Sequence, residues 1–207
     1  MRQFFLTSAA NYVLSDIVKN LPMSSNKYNV AFIPTASEVY NEDTQWVDND
    51  RNALIKMGFN LKTEFSITGL KKEEIITKLE NINLIFVCGG NPFYLLDQVI
   101  KSGFDEILKD KTNPDTIYIG SSAGSMIIGD HIDLVSTADE VSKALQLKSK
   151  GLKIIDLAIL PHWGNQELYE EYKSEFNKFY IENIKIVPLT NYQYLKVINN
   201  NYEIIQV

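Results

Sequence analysis

The sequence lacks the features of disulfide-stapled, membrane-spanning and secreted proteins. Its 207 residues include one cysteine, Cys88, so a disulfide scaffold is excluded. No segment approaches the roughly 18 consecutive apolar residues of a membrane span. The first apolar run, Phe4 to Leu6, is much shorter than the roughly 7 to 15 residues of a secretory signal. We therefore expect a cytoplasmic protein with no membrane partner.

Positive charge is also scarce. Lysine and arginine total 20 against 26 acidic residues, which gives a net charge of −6, and the only arginines are Arg2 and Arg51. Because the lysines are scattered, no basic face is expected and a nucleic-acid partner is disfavoured. An apolar fraction of 45% excludes a disordered chain. With no repeat, low-complexity tract or linker, residues 1–207 are predicted to form a single domain.

Short apolar runs alternate with longer amphipathic ones. The short runs predict strands at residues 4–7, 28–33, 59–65, 84–88, 116–119, 154–160 and 184–187, and a final hairpin at 194–197 and 202–207. The longer runs predict helices at 10–21, 37–57, 71–79, 92–109 and 166–181, with a short helix after Ser122. This order predicts an α/β protein: a three-layer sandwich, with helices on both faces of a mainly parallel sheet. Its ligand site should lie beyond the carboxyl ends of the strands.

One of these strand ends carries a possible nucleophile. Residues 120–124 read Gly-Ser-Ser-Ala-Gly, a G-x-S-x-G pattern between a strand and an apolar helix start. Such a turn exposes its central residue, here Ser122, and needs small residues two positions before and after it. A small-residue turn without chemical function is the alternative, and the position at the strand end favours a nucleophile.

A serine nucleophile needs a base, and the chain has two histidines. His131 follows Ser122 by nine residues, roughly 13 Å along a helix, which is too far for a hydrogen bond. His162 follows the strand predicted at 154–160 and so should lie at the same sheet edge as Ser122. His162 is therefore the candidate base.

The third member of a triad should be an acid that orients the imidazole. Asp156 would lie roughly 20 Å from His162 along an extended strand and is rejected. Asp139 and Glu140 lie in a polar loop that could return to the site. Spacing alone does not choose between these two residues.

Paired glycines follow another strand, in the run Cys88-Gly89-Gly90-Asn91-Pro92. Backbone N–H groups in such a turn could stabilise an oxyanion, together with the N–H of Ala123 after the nucleophile. A phosphate-binding turn or a tight helix entry would use the same glycines. Two histidines and one cysteine, widely spaced, form no zinc motif, and we expect no metal or organic cofactor.

Taken together, these segments resemble the dipeptidase E family of serine peptidases, which includes the cyanophycinases. The matching pieces are residues 31–34, 89–96, 118–124 and 161–162. The resemblance implies a class I glutamine amidotransferase-like fold, with Ser122 as nucleophile, His162 as base, and Gly90 and Ala123 as oxyanion donors. It also favours Asp139 over Glu140, because the run 136–139 is similar to the one that precedes the family's acid.

The resemblance implies a preference for an N-terminal aspartate, which the family holds with an arginine after its catalytic histidine. The corresponding helical region, residues 166–176, has no arginine and is net acidic. Asn91 and Arg51 are the candidate substrate-binding residues. We expect a peptidase of short peptides, with an aspartate preference that is weak or absent.

Two other classes fit part of the pattern. An α/β-hydrolase esterase shares the order serine, acid, histidine, but its histidine usually follows the last strand, whereas the strand at 184–187 comes after His162. A flavodoxin-like binding domain would use the glycine turns to hold an anion without catalysis. Labelling with a serine-directed fluorophosphonate would separate both enzymes from the binding domain.

Overall fold

The apolar runs form the strands of a mainly parallel sheet. The computed structural model describes residues 3–40, 44–110, 116–133, 150–170, 172–173, 183–199 and 201–207. Seven strands lie in the order β3-β2-β4-β5-β1-β8-β9. Their bounds are Gln3–Thr7 (β1), Asn29–Ile33 (β2), Asn60–Glu64 (β3), Leu84–Val87 (β4), Ile117–Ser121 (β5), Gln193–Ile198 (β8) and Asn201–Gln206 (β9).

The first five of these strands pair in parallel, and β8 and β9 form the predicted antiparallel hairpin beside β1. The other two strands, β6 (Ala158–Leu160) and β7 (Ile186–Pro188), form a separate parallel pair. Parallel pairing brings the carboxyl ends of β1, β4 and β5 to one edge, and this edge carries the candidate site.

Helices cover both faces of the seven-stranded sheet. Their bounds are Ala10–Ile17 (α1), Gln45–Lys56 (α2), Lys72–Lys78 (α3), Pro92–Lys101 (α4), Phe104–Lys109 (α5) and Ala123–Met126 (α6). Because strand side chains alternate between faces, Phe5 packs in the apolar cluster with α1 and α2, whereas Phe4 and Leu6 pack in the cluster with α3 to α6. The predicted α/β fold with helices on both faces is confirmed.

Several predicted elements differ in extent from the structure. The helix predicted over 37–57 begins at Gln45, and residues 171 and 174–181 of the helix predicted over 166–181 lie outside the described residues. The helix predicted over 92–109 is broken at Gly103, whose φ of 73° ends α4 and begins α5. The strand predicted over 154–160 is only three residues long and lies outside the main sheet. The N–H groups of Ile154 and Ile155 instead donate to the carbonyl of Ile128, so this segment folds against the end of α6.

In the described part of the chain, no helix has both the length and the apolar character needed to cross a bilayer.

Candidate active site

The turn between β5 and α6 presents Ser122 at the carboxyl edge of the sheet. Ser122 has φ 46° and ψ −109°, a conformation that L-residues rarely adopt. Close approach of the backbone explains the two glycines. A Cβ on Gly120 would lie 2.6 Å from the carbonyl oxygen of Gly124, and one on Gly124 would lie 2.2 Å from that of Val87. The G-x-S-x-G pattern therefore corresponds to a tight strand-to-helix turn.

Hydrogen bonds to β1 hold this turn in place. The N–H of Ser122 donates to the carbonyl oxygen of Thr7 at 3.0 Å. Ser125, fully buried, donates its hydroxyl to the carbonyl oxygens of Thr7 and Gly120 and accepts from the Thr7 N–H at 2.8 Å. Ser125 is thus occupied inside the fold, while Ser122 is partly exposed.

The structure brings Ser122 and His162 together. The distance between Ser122 Oγ and His162 Nε2 is 3.0 Å, within hydrogen-bonding range. His162 follows β6, has φ 57°, and donates its backbone N–H to Ser8 Oγ at 2.7 Å. The other histidine, His131, lies in an isolated bridge with Lys150, and its Nδ1 is 3.8 Å from Asp130.

The second imidazole nitrogen faces an amide. His162 Nδ1 lies 3.0 Å from Asn191 Oδ1 and 3.3 Å from Ser8 Oγ, and the Ser8 hydroxyl donates to the same Asn191 oxygen at 2.8 Å. For Nε2 to accept the Ser122 proton, Nδ1 must carry the ring hydrogen and donate it to Asn191. Ser8 and Asn191 together fix the ring in this tautomer.

Burial lowers the pKa of His162 below its usual value, and the hydrogen bond that Nδ1 donates to Asn191 Oδ1 offsets only part of this shift. An amide carries no charge, so it stabilises the imidazolium less than a carboxylate would. The lowered pKa favours the neutral ring, the state that a base requires.

The predictions from sequence missed Ser8 and Asn191. Both follow strands at the active edge: Ser8 comes directly after β1, and Asn191 comes three residues after β7. The expected third member was a carboxylate between Ser122 and His162, whereas Asn191 is an amide further along the chain. The predicted acid, Asp139, and its alternative, Glu140, lie outside the described residues.

The loop after β4 packs directly against the serine. A Cβ on Gly89 would lie 3.2 Å from the Cβ of Ser122. Gly90 has φ 144°, and a Cβ there would lie 2.2 Å from the carbonyl oxygen of Ala36, so the position requires glycine. Within the described residues, the N–H groups of Gly90 and Ala123 donate to no protein acceptor.

The two candidate substrate-binding residues have partners within the protein. Asn91 Oδ1 accepts from the N–H groups of Phe93 and Tyr94, which makes it the N-cap of α4. The Arg51 guanidinium binds both carboxylate oxygens of Glu64, at 2.8 and 2.6 Å, and also pairs with Asp48. Neither side chain is held toward Ser122 by any of these contacts.

A buried carboxylate lies behind the site. Asp50 of α2 is 3% exposed and accepts from the Asn11 N–H at 3.0 Å, from the Ser121 hydroxyl, and from the Cys88 thiol at 3.7 Å. Burial raises the pKa of Asp50 to about 6, although these hydrogen bonds oppose the shift. Burial, reinforced by the nearby Asp50 charge, also raises the pKa of the Cys88 thiol, which makes this cysteine a poor nucleophile.

Among the residues that the structure describes, no cluster of three or more histidine, cysteine, aspartate or glutamate side chains could hold a metal ion.

A serine hydroxyl presented on a tight strand-to-helix turn, beside a neutral imidazole, defines the class of serine-type hydrolytic centres. The chain belongs to peptidase family S51, whose family model matches residues 4–205. The resemblance drawn from the motifs is confirmed, and the protein is a serine-type peptidase. Neither an esterase of another α/β class nor a flavodoxin-like binding domain agrees with this membership.

Relatives match over most of the chain. An uncharacterized peptidase of Listeria monocytogenes is 32% identical over 194 residues, which cover 93% of each chain. An uncharacterized peptidase of Pasteurella multocida is 30% identical over 207 residues, covering 100% of this chain and 98% of the relative. The Peptidase E of Haemophilus influenzae is 30% identical over 156 residues, covering 71% of this chain and 66% of the relative.

Solved structures share the fold. The crystal structure of a Listeria monocytogenes protein, described as a candidate Peptidase E, has a TM-score of 0.87 at 29% identity and covers 100% of this chain and 99% of its own. A peptidase from an acI-B1 Actinobacterium has a TM-score of 0.69 at 15% identity, which supports the fold alone.

Proposed function

We propose that the protein is a dipeptidase E-like enzyme that cleaves short peptides through an acyl-enzyme on Ser122. The observation that carries this proposal is the 3.0 Å contact between Ser122 Oγ and His162 Nε2 on a strained turn. The G-x-S-x-G turn is then a nucleophile elbow. Membership of a peptidase family supplies the reaction class.

The first half of the reaction forms the acyl-enzyme. Ser122 Oγ attacks the peptide carbonyl carbon while His162 Nε2 takes the hydroxyl proton, and the carbonyl oxygen becomes an oxyanion. The Gly90 and Ala123 N–H groups, which have no acceptor in the described part of the chain, are the proposed donors to that oxyanion. Collapse of the intermediate breaks the C–N bond, and Nε2 returns the proton to the departing amine.

The second half releases the new carboxylate. Water enters where the amine left, gives its proton to Nε2, and attacks the ester carbonyl. When the second tetrahedral intermediate collapses, Ser122 Oγ recovers the proton from Nε2. Throughout, Asn191 Oδ1 accepts the hydrogen on Nδ1 and keeps Nε2 aligned. Asp139, the acid implied by the resemblance, stays a prediction for the orienting group, and variants of Asp139 and Asn191 distinguish between the two.

The proposed substrate specificity rests on which positively charged side chains could bind an acidic substrate. An aspartate side chain needs a cation, best a guanidinium. Arg51 is paired with Glu64 and Asp48, so binding a substrate carboxylate would require breaking these ion pairs. We therefore retain short peptides as substrates, with a weak or absent preference for an N-terminal aspartate. The cytoplasmic location and the absence of a cofactor or a nucleic-acid partner stay predictions.

The test is hydrolysis of a dipeptide and tripeptide panel by wild type, Ser122→Ala and Ser125→Ala. Ser122→Ala should lose several orders of magnitude in kcat, because the members of a triad act as a unit. Ser125→Ala should lower stability and retain Ser122-dependent turnover, since its hydroxyl bonds only backbone groups of the turn and β1. Full activity in folded Ser122→Ala would contradict the proposal.

A further inference from the structure

The peptide bond between Gly89 and Gly90 lies in a loop that is anchored on either side of it. The Cys88 N–H donates to the carbonyl oxygen of Ile33 at 3.0 Å, and the Asn91 N–H donates to that of Ala36 at 2.8 Å. Neither of these two hydrogen bonds involves the C=O of Gly89 or the N–H of Gly90, the two polar groups of the peptide between the anchors. Because both residues are glycines, no side chain of the loop itself fixes which of its two orientations this peptide adopts.

One side chain selects between those orientations. The indole N–H of Trp46 donates to the carbonyl oxygen of Gly89 at 3.2 Å. Within the described residues, this is the one hydrogen bond made by the Gly89–Gly90 peptide group. The indole is itself held in place, because it packs against the α1 and α2 core and stands edge-on to Tyr40, with ring centroids 5.4 Å apart.

The planarity of a trans peptide links this bond to the active site. The C=O and N–H of one peptide point in opposite directions. When the Gly89 carbonyl points toward Trp46, the Gly90 N–H must point away from it. A flip of the peptide would reverse both groups. An oxyanion donor would then be replaced by a carbonyl oxygen, which would repel the developing negative charge.

We infer that Trp46 is a positioning residue, whose indole N–H fixes the Gly89–Gly90 peptide so that the Gly90 N–H serves the oxyanion. The inference rests on the proposed function, in which the Gly90 N–H is one of two donors. Within the described residues, Trp46 makes no hydrogen bond to Ser122 or His162. It acts through the orientation of one peptide bond.

The test compares Trp46→Phe with Val47→Ala. Phenylalanine keeps an aromatic ring but removes the donor, whereas Val47→Ala loosens the packing of α2 at the next residue and leaves the indole bond intact. The first readout is the second-order rate of labelling of Ser122 by a fluorophosphonate, whose phosphoryl oxygen uses the same donors in the transition state. The second is kcat and KM for the best dipeptide of the panel.

Trp46→Phe should label about five- to tenfold more slowly and lose the same factor in kcat, the size expected when an oxyanion donor is misplaced rather than removed. Its KM should change less than twofold, because ground-state contacts are untouched. Val47→Ala should keep both rates within twofold. If Trp46→Phe does not fold, Trp46 is replaced by benzothienylalanine, in which sulfur takes the place of the indole N–H and the shape is kept.

Two failures are distinguishable. Absence of labelling of Ser122 in the wild type would overturn the proposed function itself. Normal labelling of the wild type with equal rates in folded Trp46→Phe or the benzothienylalanine protein would overturn the role of Trp46 alone. A loss confined to KM would also contradict it, since a positioning residue for the oxyanion should act on the chemical step.

Discussion

At the scale of single residues, the neutral partner of His162 determines how the activity should respond to pH. Burial lowers the pKa of His162, and Asn191 supplies a hydrogen bond without a charge. A base works only when deprotonated, so activity should fall as pH drops through this lowered pKa, below the ordinary value of 6.5. The sequence predicts a fall below about 6–7 from the unperturbed value, and the burial of the ring moves this expectation to lower pH.

Asn191→Asp is the variant that tests this arrangement. A carboxylate beside Nδ1 stabilises the imidazolium and should raise the pKa of His162 by about one to two units. The acid limb of kcat/KM should therefore move to higher pH by the same amount, as measured on the best dipeptide of the panel. An unchanged acid limb in a folded, active variant would show that Asn191 is not the Nδ1 partner.

Asp139→Asn, with Glu140→Gln as its matched control, tests the acid predicted from the family resemblance. If Asn191 is the orienting group, both variants should retain activity within a few-fold of the wild type. A triad acid at position 139 would instead make Asp139→Asn slower by about 10³- to 10⁴-fold. That loss would transfer the orienting role from Asn191 to Asp139.

At the scale of secondary-structure elements, α2 contacts the candidate site through the buried carboxylate of Asp50, which hydrogen-bonds Ser121 and Cys88. Asp50 connects three segments: the first turn of α1 through Asn11, the residue before Ser122, and Cys88 before the glycine loop. With a pKa of about 6 in the fold against an ordinary 3.8, Asp50 holds a proton in the native protein that the unfolded chain has released. Between these values the contribution of Asp50 to the free energy of unfolding decreases as pH rises.

The expected decrease is about 2–3 kcal/mol between pH 4 and pH 7. Asp50→Asn has no group to ionise, so its unfolding free energy relative to wild type should increase by this amount across the same range. Urea unfolding at both pH values measures it, with Asp48→Asn on the same helix as the control for loss of one carboxylate. Parallel pH profiles for wild type and Asp50→Asn would exclude a raised pKa for Asp50.

The turn at Ser122 is the part of the candidate site that sequence predicts best. Its signal is local: a strand, two glycines at fixed offsets and a helix within ten residues. His162 lies beside Ser122 although β6 is outside the main sheet, because the segment after β6 is held to the end of β1 by the hydrogen bond from the His162 N–H to Ser8. Asn191 and Trp46 make their contacts with elements distant in sequence, which no local spacing reveals.

At the scale of the whole molecule, charge disfavours an acidic substrate. The chain carries a net charge of −6, and Arg51 is already bound to two carboxylates. Across dipeptides that begin with Asp, Glu, Ala, Leu, Phe or Lys, kcat/KM for the Asp peptide should stay within about tenfold of the others, because Arg51, the one arginine among the described residues, is already paired with Glu64 and Asp48.

The variant Arg51→Ala tests whether Arg51 contributes to any preference for the Asp peptide. Because Arg51 pairs with Glu64 and Asp48, its removal should lower stability slightly and leave the ranking of the dipeptides unchanged. A strong preference for the Asp peptide in wild type that disappears in Arg51→Ala would show that the ion pairs open to admit substrate. The specificity would then match that implied by the family resemblance.

The most direct test of the central claim, that Ser122 is a nucleophile activated by His162, is mass spectrometry of fluorophosphonate-treated protein. Wild type should carry a single adduct, located on Ser122, and His162→Ala should label at least about a hundredfold more slowly, because the hydroxyl loses its base. An adduct on Ser121, Ser125 or Cys88, or equal labelling of Ser122 with and without His162, would contradict the account.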